Sequence, residues 1–158
     1  MKATKINKVL IALDLYQTAQ KVAETGYSFA KAVGADIILL QVISDPVYRS
    51  LKEHLTITGF AGLTDRVPLK LESIEGLKTA SQHYLDDLKH HLGDEAIQTV
   101  VKEGDIAESI LKTAKNLHAD AIVMGYHSWK ESENEISGLT TEKVLNHTTK
   151  PLFIVPVK

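Results

Sequence analysis

The sequence predicts an α/β fold with a doubly wound, five-stranded parallel sheet and helices on both faces. Short apolar segments alternate with helical patterns along the whole chain, which is typical of βαβ units. The apolar segments are continuous, as expected for strands that are buried on both sides. Right-handed crossovers then place helices on both faces of the sheet. The five predicted strands are residues 9–13, 37–43, 99–101, 121–124 and 151–157.

The first half of the chain begins with a strand, a helix and a second strand. The strand at 9–13 ends at Asp14. Apolar residues then recur three and four positions apart over 19–33, which is the spacing of one helical face. Gly34 is suited to end this helix, because glycine readily adopts the left-handed conformation of a C-terminal stop. The strand at 37–43 follows.

The second half contains three more helical patterns. Residues 73–92 carry an apolar stripe, with Ser73 as a candidate N-cap and Gly93 as the predicted stop. Asp105, followed three positions later by Glu108, resembles a capping box that opens the next helix. The last helix is predicted over 138–148. Together these elements predict one domain that occupies residues 1–158.

Composition excludes several classes of function. The 158 residues carry 18 basic and 20 acidic side chains, so the net charge of -2 gives no basic footprint for nucleic acid or an anionic membrane. There is no cysteine, which excludes disulfides and zinc–thiolate sites. No apolar run approaches the roughly 18 residues of a membrane span, and no signal peptide is visible. We therefore expect a cytoplasmic protein.

A long connection interrupts the alternation at residues 44–72. Connections longer than about 12–15 residues are usually functional or disordered. Apolar residues recur over 51–63, which is unusual for plain disorder. The segment either packs over the sheet or a protein partner, or is a variable insertion.

The carboxyl ends of the predicted strands are the expected position of a ligand site. Asp14 follows the first strand, residues 43–45 end the second, and Gly125 ends the fourth. Gly138 lies where the last helix begins, and a helix N-terminus offers unpaired N–H groups to an anion. This arrangement suggests a site for an anion or a nucleotide.

Five segments resemble the universal stress protein family in sequence and in order. They are KVLIALD at 8–14, GDIAESI at 104–110, MGYHS at 124–128, GLTTEKVL at 138–145 and KPLFIVP at 150–156. The resemblance implies the strand order 3-2-1-4-5 and a homodimer that pairs through the C-terminal strand at 151–157. It also implies a cofactor, ATP or another adenine nucleotide.

The resemblance further implies the residues of the nucleotide site. In members that bind ATP, G-x-x-G, nine residues and then G-[S/T] hold the phosphates. An acidic residue after the first strand lies near the ribose and adenine, and an apolar residue at the end of the second strand lines the adenine. The matching positions, with their neighbours in the signature, are Asp14, Val42, Met124, Gly125, His127, Ser128, Gly138, Leu139 and Thr140.

Two positions depart from that signature. Ser128 stands where the second glycine is expected, so a Cβ would hinder close approach of the backbone to phosphate. Leu139 stands where a hydroxyl residue is expected and removes a donor. The same segment contains three glutamates between residues 131 and 135 but only one lysine, Lys130. Each carboxylate near a phosphate weakens phosphate binding through charge repulsion.

Several side chains have two interpretations. Asp14 is either a ribose contact or a helix cap. His127 either contacts phosphate or acts as an acid–base group, or it is a loop histidine bonded to backbone. The group His83, Asp87, His90 and His91 suggests a metal site, but a solvated helix face explains it more simply.

Three functions are consistent with these patterns. The first is a non-catalytic stress-response module that binds an adenine nucleotide and regulates through its surface or dimer. The second is a protein-interaction module without a nucleotide, acting through 51–63 and the last strand. The third is a slow nucleotide hydrolase, which the lack of a visible nucleophile–base pair disfavours. The sequence indicates no catalytic residue and no metal ligand.

Overall fold

The computed structural model describes residues 5–15, 17–44, 74–127 and 138–157. Five strands and four helices alternate within these residues. The strands are β1 (Lys8–Leu13), β2 (Asp36–Ile43), β3 (Gln98–Glu103), β4 (Ala121–His127) and β5 (Leu152–Val157). The helices are α1 (Thr18–Ala32), α2 (Ile74–Leu92), α3 (Ile106–Asn116) and α4 (Gly138–His147). The predicted partner segment 51–63, the candidate cap Ser73 and the site residue Ser128 lie outside the described residues.

The sheet has the order β3-β2-β1-β4-β5, and each of its neighbouring pairs is parallel. This order confirms the expectation taken from the family resemblance. The central strand, β1, is enclosed on all sides, because β2 and β4 flank it and helices cover both of its faces. Its residues Val9, Leu10 and Ile11 have no exposed surface.

Two separate apolar cores lie on the two faces of the sheet, as a doubly wound fold requires. On the α1/α2 face, Val22 of α1 and Leu85 of α2 pack against the odd-numbered residues of β1. On the α3/α4 face, Ile110 of α3 and Val144 of α4 pack against the even-numbered residues. The side chains of a strand alternate between faces, so continuous apolar strands supply both cores.

Local signals in the sequence set the helix ends. The carboxylate of Asp105 accepts a hydrogen bond from the backbone N–H of Glu108 at 2.9 Å, which satisfies one of the donors that begin α3. Gly34 follows α1 with a φ of +72°, and Gly93 follows α2 with a φ of +69°. Both adopt the left-handed conformation that the sequence predicts for these stops.

The fourth strand is longer than predicted. The sequence suggested that it ends at Gly125, but β4 continues through Tyr126 to His127. The reason is tertiary: β5 pairs with β4 to its last residue, with Tyr126 opposite Pro156 and His127 opposite Val157. Pairing with a neighbouring strand therefore extends a segment that is too polar to be recognised as a strand by itself.

None of the four described helices combines the length and the apolar character that crossing a bilayer requires.

Candidate functional site

The sheet register brings three predicted site residues to one edge. Leu13 of β1 pairs with Gln41 of β2, and Ala12 pairs with Met124 of β4. Asp14 therefore follows β1 between the ends of two neighbouring strands, where Val42 and Gly125 lie. The chain leaves β1 toward β2 on one side and reaches β4 on the other, so this is the switch point where open α/β sheets bind ligands.

A threonine at the start of α1 orients the carboxylate of Asp14. Thr18 Oγ1 donates to Asp14 Oδ2 at 3.2 Å, and Thr18 is the first residue of the helix. The N-cap position itself is occupied by Gln17, which makes no capping bond through its side chain. Asp14 is therefore not the cap of α1, and its half-buried carboxylate lies at the carboxyl edge of the sheet.

Gln41 is a supporting residue that the sequence analysis missed. Its amide Nε2 donates to the backbone carbonyl of Asp14 at 2.7 Å, and its Oε1 accepts from Ser81 Oγ at 2.5 Å. Gln41 and Ser81 have no exposed surface, so neither side chain exchanges these bonds for water. The position of Gln41 inside the apolar strand 37–43 could have revealed it, because a buried amide requires hydrogen-bond partners. The network ties the residue after β1 to α2.

Tyr84 lies on α2, and the charge of Asp14 affects the pKa of its phenol. Burial, with a smaller contribution from the negative charge of Asp14, raises the pKa of the Tyr84 phenol to about 12. The ring packs against the core on the α1/α2 face. The phenol therefore remains neutral at physiological pH.

The two apolar residues of the predicted site are enclosed on the α3/α4 face. Met124 has no exposed surface and Val42 has 6%. Both belong to the core that α3 and α4 cover. Val42 follows Gln41, which pairs with Leu13, and Met124 lies opposite Ala12.

Gly125 has a packing role that the phosphate hypothesis did not include. A Cβ at this position would lie 2.8 Å from Cγ2 of Val22 in α1. A contact this short is repulsive, so glycine allows α1 to pack directly on β4. The requirement for glycine therefore arises at least in part from the core.

The start of α4 lies at the same edge as Asp14. The chain leaves the carboxyl end of β4 and returns to the amino end of the parallel strand β5, so α4 begins at the carboxyl edge with Gly138. Leu139 is 63% exposed, and Thr140 is half-buried. Within α4, Thr140 is the first residue that carries a hydroxyl. The side chain of His127 is outside the described part of the structure.

A cavity of about 950 Å³ lies elsewhere, between α3 and α4. None of the predicted site residues lines it. Asp105 is at one of its ends, and Lys150, which precedes β5, is among the residues at the other. The candidate nucleotide site is the carboxyl edge, because the register brings Asp14, Val42 and Gly125 together there at the switch point.

His90 and His91 of α2 are exposed, and each contacts an acidic side chain. His90 contacts Glu95, and His91 Nε2 lies 3.5 Å from Glu24 Oε2. Across residues 5–15, 17–44, 74–127 and 138–157, no group of three or more His, Asp or Glu side chains could hold a metal ion.

Comparison with known proteins identifies the family. Residues 5–156 match the model of the universal stress protein family. Universal stress protein MJ0577 of Methanocaldococcus jannaschii is 25% identical over 154 residues, which cover 96% of this chain and 95% of that protein. The solved structure of MJ0577 superimposes with a TM-score of 0.68 at 23% identity and covers 98% and 99% of the two chains.

Two further solved structures share the fold and carry ligands. One is a universal stress protein in complex with cAMP, with a TM-score of 0.60 at 13% identity, covering 97% of this chain and 98% of that one. The other is the universal stress protein of Archaeoglobus fulgidus in complex with dAMP, with a TM-score of 0.57 at 18% identity, covering 96% and 98%. The family match extends over nearly the whole chain and agrees with the strand order, and this chain therefore belongs to the universal stress protein family.

Proposed function

We propose that this protein is a non-catalytic regulatory module that binds an adenine nucleotide at the carboxyl edge of its sheet. One observation carries the proposal: Asp14, Val42, Gly125 and the start of α4 meet at the switch point of the strand order. The complexes of two related folds with cAMP and dAMP support the choice of an adenine nucleotide. We assign no catalytic residue.

Each group has a role that follows from its chemistry. The carboxylate of Asp14, oriented by Thr18, accepts hydrogen bonds from ribose hydroxyls. Val42 provides an apolar wall for the adenine. The N–H groups that begin α4 at Gly138 face the phosphate, with Ser128, Thr140 and His127 as further donors.

The preferred ligand carries a single phosphate. Leu139, exposed at the start of α4, supplies no hydroxyl where ATP-binding members have one. The sequence between β4 and α4 also carries Glu131, Glu133 and Glu135 against Lys130. Each carboxylate repels every additional phosphate charge, so AMP and cAMP should bind more tightly than ATP.

The edge strand β5 is the proposed dimer surface. The backbone carbonyl of Pro151 accepts a hydrogen bond from the N–H of Ile122 in β4. The backbone N–H and C=O groups of residues 153, 155 and 157 therefore also point toward β4, whereas those of residues 152, 154 and 156 point outward. Pro156 has no N–H and lies among the outward residues, which suits an edge. Phe153 and Ile154 are 36% and 37% exposed. Pairing of two β5 strands would cover these side chains and satisfy the outward backbone groups.

Mass spectrometry of small molecules released from the freshly purified, denatured protein tests the proposal first. Thermal melting with AMP, cAMP and ATP then measures the preference, since a ligand at 100 times its Kd adds roughly 2.7 kcal/mol to stability. If no adenine nucleotide copurifies and none shifts the melting temperature at millimolar concentration, the proposal is wrong.

A matched pair of variants locates the site. We expect Asp14→Asn to weaken AMP binding by roughly tenfold or more, because it removes the charge from a charge-assisted hydrogen bond. Asp36→Asn makes the same change at the exposed, opposite end of β2 and should leave affinity unchanged. Equal affinities for both variants would place the nucleotide elsewhere.

A further inference from the structure

The cavity between α3 and α4 has a size and a lining suited to a small ligand. Its volume of about 950 Å³ lies within the range of roughly 300–1,000 Å³ that is usual for such sites. Ala107, Leu111 and Ala114 of α3 form one wall, and Ala119 and Ile122 continue it toward the sheet. Three of these five apolar residues are alanines, which leaves room for an apolar ligand chain, and none of the five side chains offers it a hydrogen bond.

Charge is unevenly distributed along this cavity. Asp105 and Glu108 lie at the end where α3 begins. Lys115 in the last turn of α3 and Lys150 before β5 line the other end, and Lys143 of α4 also lines the cavity. None of these three lysines forms an ion pair with another residue of the described ranges. The cavity therefore has a cationic end and an acidic end.

Two further polar groups near the cationic end are bonded within the protein. Asp120 Oδ2 accepts the backbone N–H groups of Asn7 and Lys8 at 2.9 and 3.0 Å. Lys8 Nζ donates to the carbonyl of Leu117, the C-cap of α3, at 3.2 Å. These bonds hold Asp120 and the carbonyl of Leu117 in place. Asp120 keeps its negative charge, but Lys115, Lys143 and Lys150 outnumber it.

Two histidines also line the cationic end. His147 Nδ1 lies 2.8 Å from the carbonyl of Lys143, which can only accept, so Nδ1 carries the proton. His118 has a φ of +58°, and among the described residues it is the only non-glycine with a positive φ. The left-handed conformation costs a side chain roughly 1–2 kcal/mol, and the position after a helix C-cap favours glycine. A histidine at this position suggests a role for its ring at the cavity.

From these features we propose that the α3/α4 cavity binds a free fatty carboxylate. The carboxylate head lies among Lys115, Lys143 and Lys150, and the apolar chain lies along the alanine-rich wall of α3. The acidic end at Asp105 disfavours a second anionic group, so a ligand with one charged head fits better than a dicarboxylate. This proposal does not depend on the nucleotide site.

Isothermal titration calorimetry with decanoate, 1-decanol and inorganic phosphate tests whether binding requires both the carboxylate head and the apolar chain. We expect saturable binding of decanoate, with 1-decanol and phosphate each at least tenfold weaker. Amide shifts in ¹⁵N NMR spectra should concentrate at residues 107–122 and 143–150. Equal binding of decanoate and 1-decanol, or shifts centred on the carboxyl edge, would overturn the proposal.

Exposed lysines provide variants that should fold normally. Lys143→Gln and Lys150→Gln should each weaken decanoate binding about fivefold, as expected for the loss of one close charge. Lys102→Gln removes the same charge from β3, outside the cavity, and should leave affinity unchanged. If the Lys102 variant weakens binding as much as the other two, the attraction is nonspecific and the proposal is wrong.

His118→Gly separates binding from folding. Glycine adopts the left-handed conformation without strain, so the melting temperature should not fall. Loss of the ring should weaken decanoate binding about threefold, on the order of one weak hydrogen bond. Unchanged affinity in the glycine variant would remove His118 from the site, and a lowered melting temperature would contradict the strain on which its assignment rests. Competition with AMP should be absent in every variant.

Discussion

At the residue scale, buried hydrogen bonds fix the position of Asp14 at the carboxyl edge of the sheet. Gln41 hydrogen-bonds to the backbone carbonyl of Asp14 and to the hydroxyl of Ser81. The side chains of Gln41 and Ser81 are fully buried. A buried polar group is tolerated only when its hydrogen bonds are made. The amide therefore specifies how α2 packs against the end of β1.

Replacing the amide should destabilise the protein through the partners that it leaves behind. Gln41→Leu removes the donor to Asp14 and the acceptor of Ser81, which should cost about 2–4 kcal/mol in the free energy of unfolding. Urea unfolding with an unchanged m-value measures this loss. Ser81→Ala should cost at least about 1 kcal/mol less in the Gln41→Leu background than in the wild type. Strictly additive losses would show that the two side chains do not interact.

Tyr84 gives the protein a sensitivity to alkaline pH. The pKa of the phenol is raised to about 12 by burial, against about 10 in an unfolded chain. Between these values the unfolded state loses the proton first, so stability is full below pH 10 and falls as the pH rises toward 12. The loss is at most about 3 kcal/mol.

Urea unfolding at pH 9, 10 and 11 checks this expectation. Tyr84→Phe should remove most of the decline, because phenylalanine has no proton to lose. Ultraviolet titration of the wild type should show one tyrosine that ionises only near pH 12. A decline of the same size in the phenylalanine variant would assign the alkaline sensitivity to other groups.

At the scale of the element, the packing of α1 on β4 depends on the absence of a side chain at Gly125. Val22 Cγ2 occupies the space that a Cβ would need, at 2.8 Å. Valine is stiff about χ1, so it cannot rotate away without strain. The same glycine lies at the proposed nucleotide site, and its two roles can be separated by mutation.

Gly125→Ala should destabilise the protein by about 1–3 kcal/mol through overpacking. Val22→Ala in the same chain should recover part of that loss, since it removes the methyl group that clashes. Thermal and urea unfolding of the two single variants and the double variant measure the coupling. If AMP affinity returns with stability in the double variant, Gly125 serves packing; if affinity stays low, its backbone also approaches the ligand.

At the scale of the whole molecule, β5 is an edge with apolar side chains on both faces. Phe153 stacks on Phe29 of α1 with ring centroids 4.6 Å apart, which fixes one face of the strand. Ile154 points to the other face and is 37% exposed. An open edge of this kind invites pairing with another strand.

Charge on that edge should separate the proposed dimer. Ile154→Lys places an ammonium group at the pairing surface and should raise the dimer dissociation constant at least 100-fold, because the charge would be desolvated. Val33→Lys adds the same charge at a residue of similar exposure, 40%, at the C-terminal end of α1, and should not change association. Sedimentation velocity distinguishes the two. Unchanged association of the Ile154 variant would exclude β5 as the dimer surface.

Much of the fold could be predicted because its signals are local. The helix stops at Gly34 and Gly93 and the cap at Asp105 required only neighbouring residues. The order of the strands required the family resemblance, since periodicity does not reveal which strands are neighbours. The predicted end of β4 at Gly125 was wrong, because pairing with β5 extends the strand to His127 and its own composition does not indicate this.

The sequence by itself determined the kinds of elements, their order, and the placement of Asp14 and Gly125 after strands of a parallel sheet. The tertiary structure decided which distant side chains meet. It joined Gln41 to Ser81, 40 residues away, placed Val22 against Gly125, and opened a cavity between α3 and α4. The reason is physical: hydrophobic periodicity and capping act within a few residues, whereas buried hydrogen bonds and close packing depend on distances that exist only after the chain has folded.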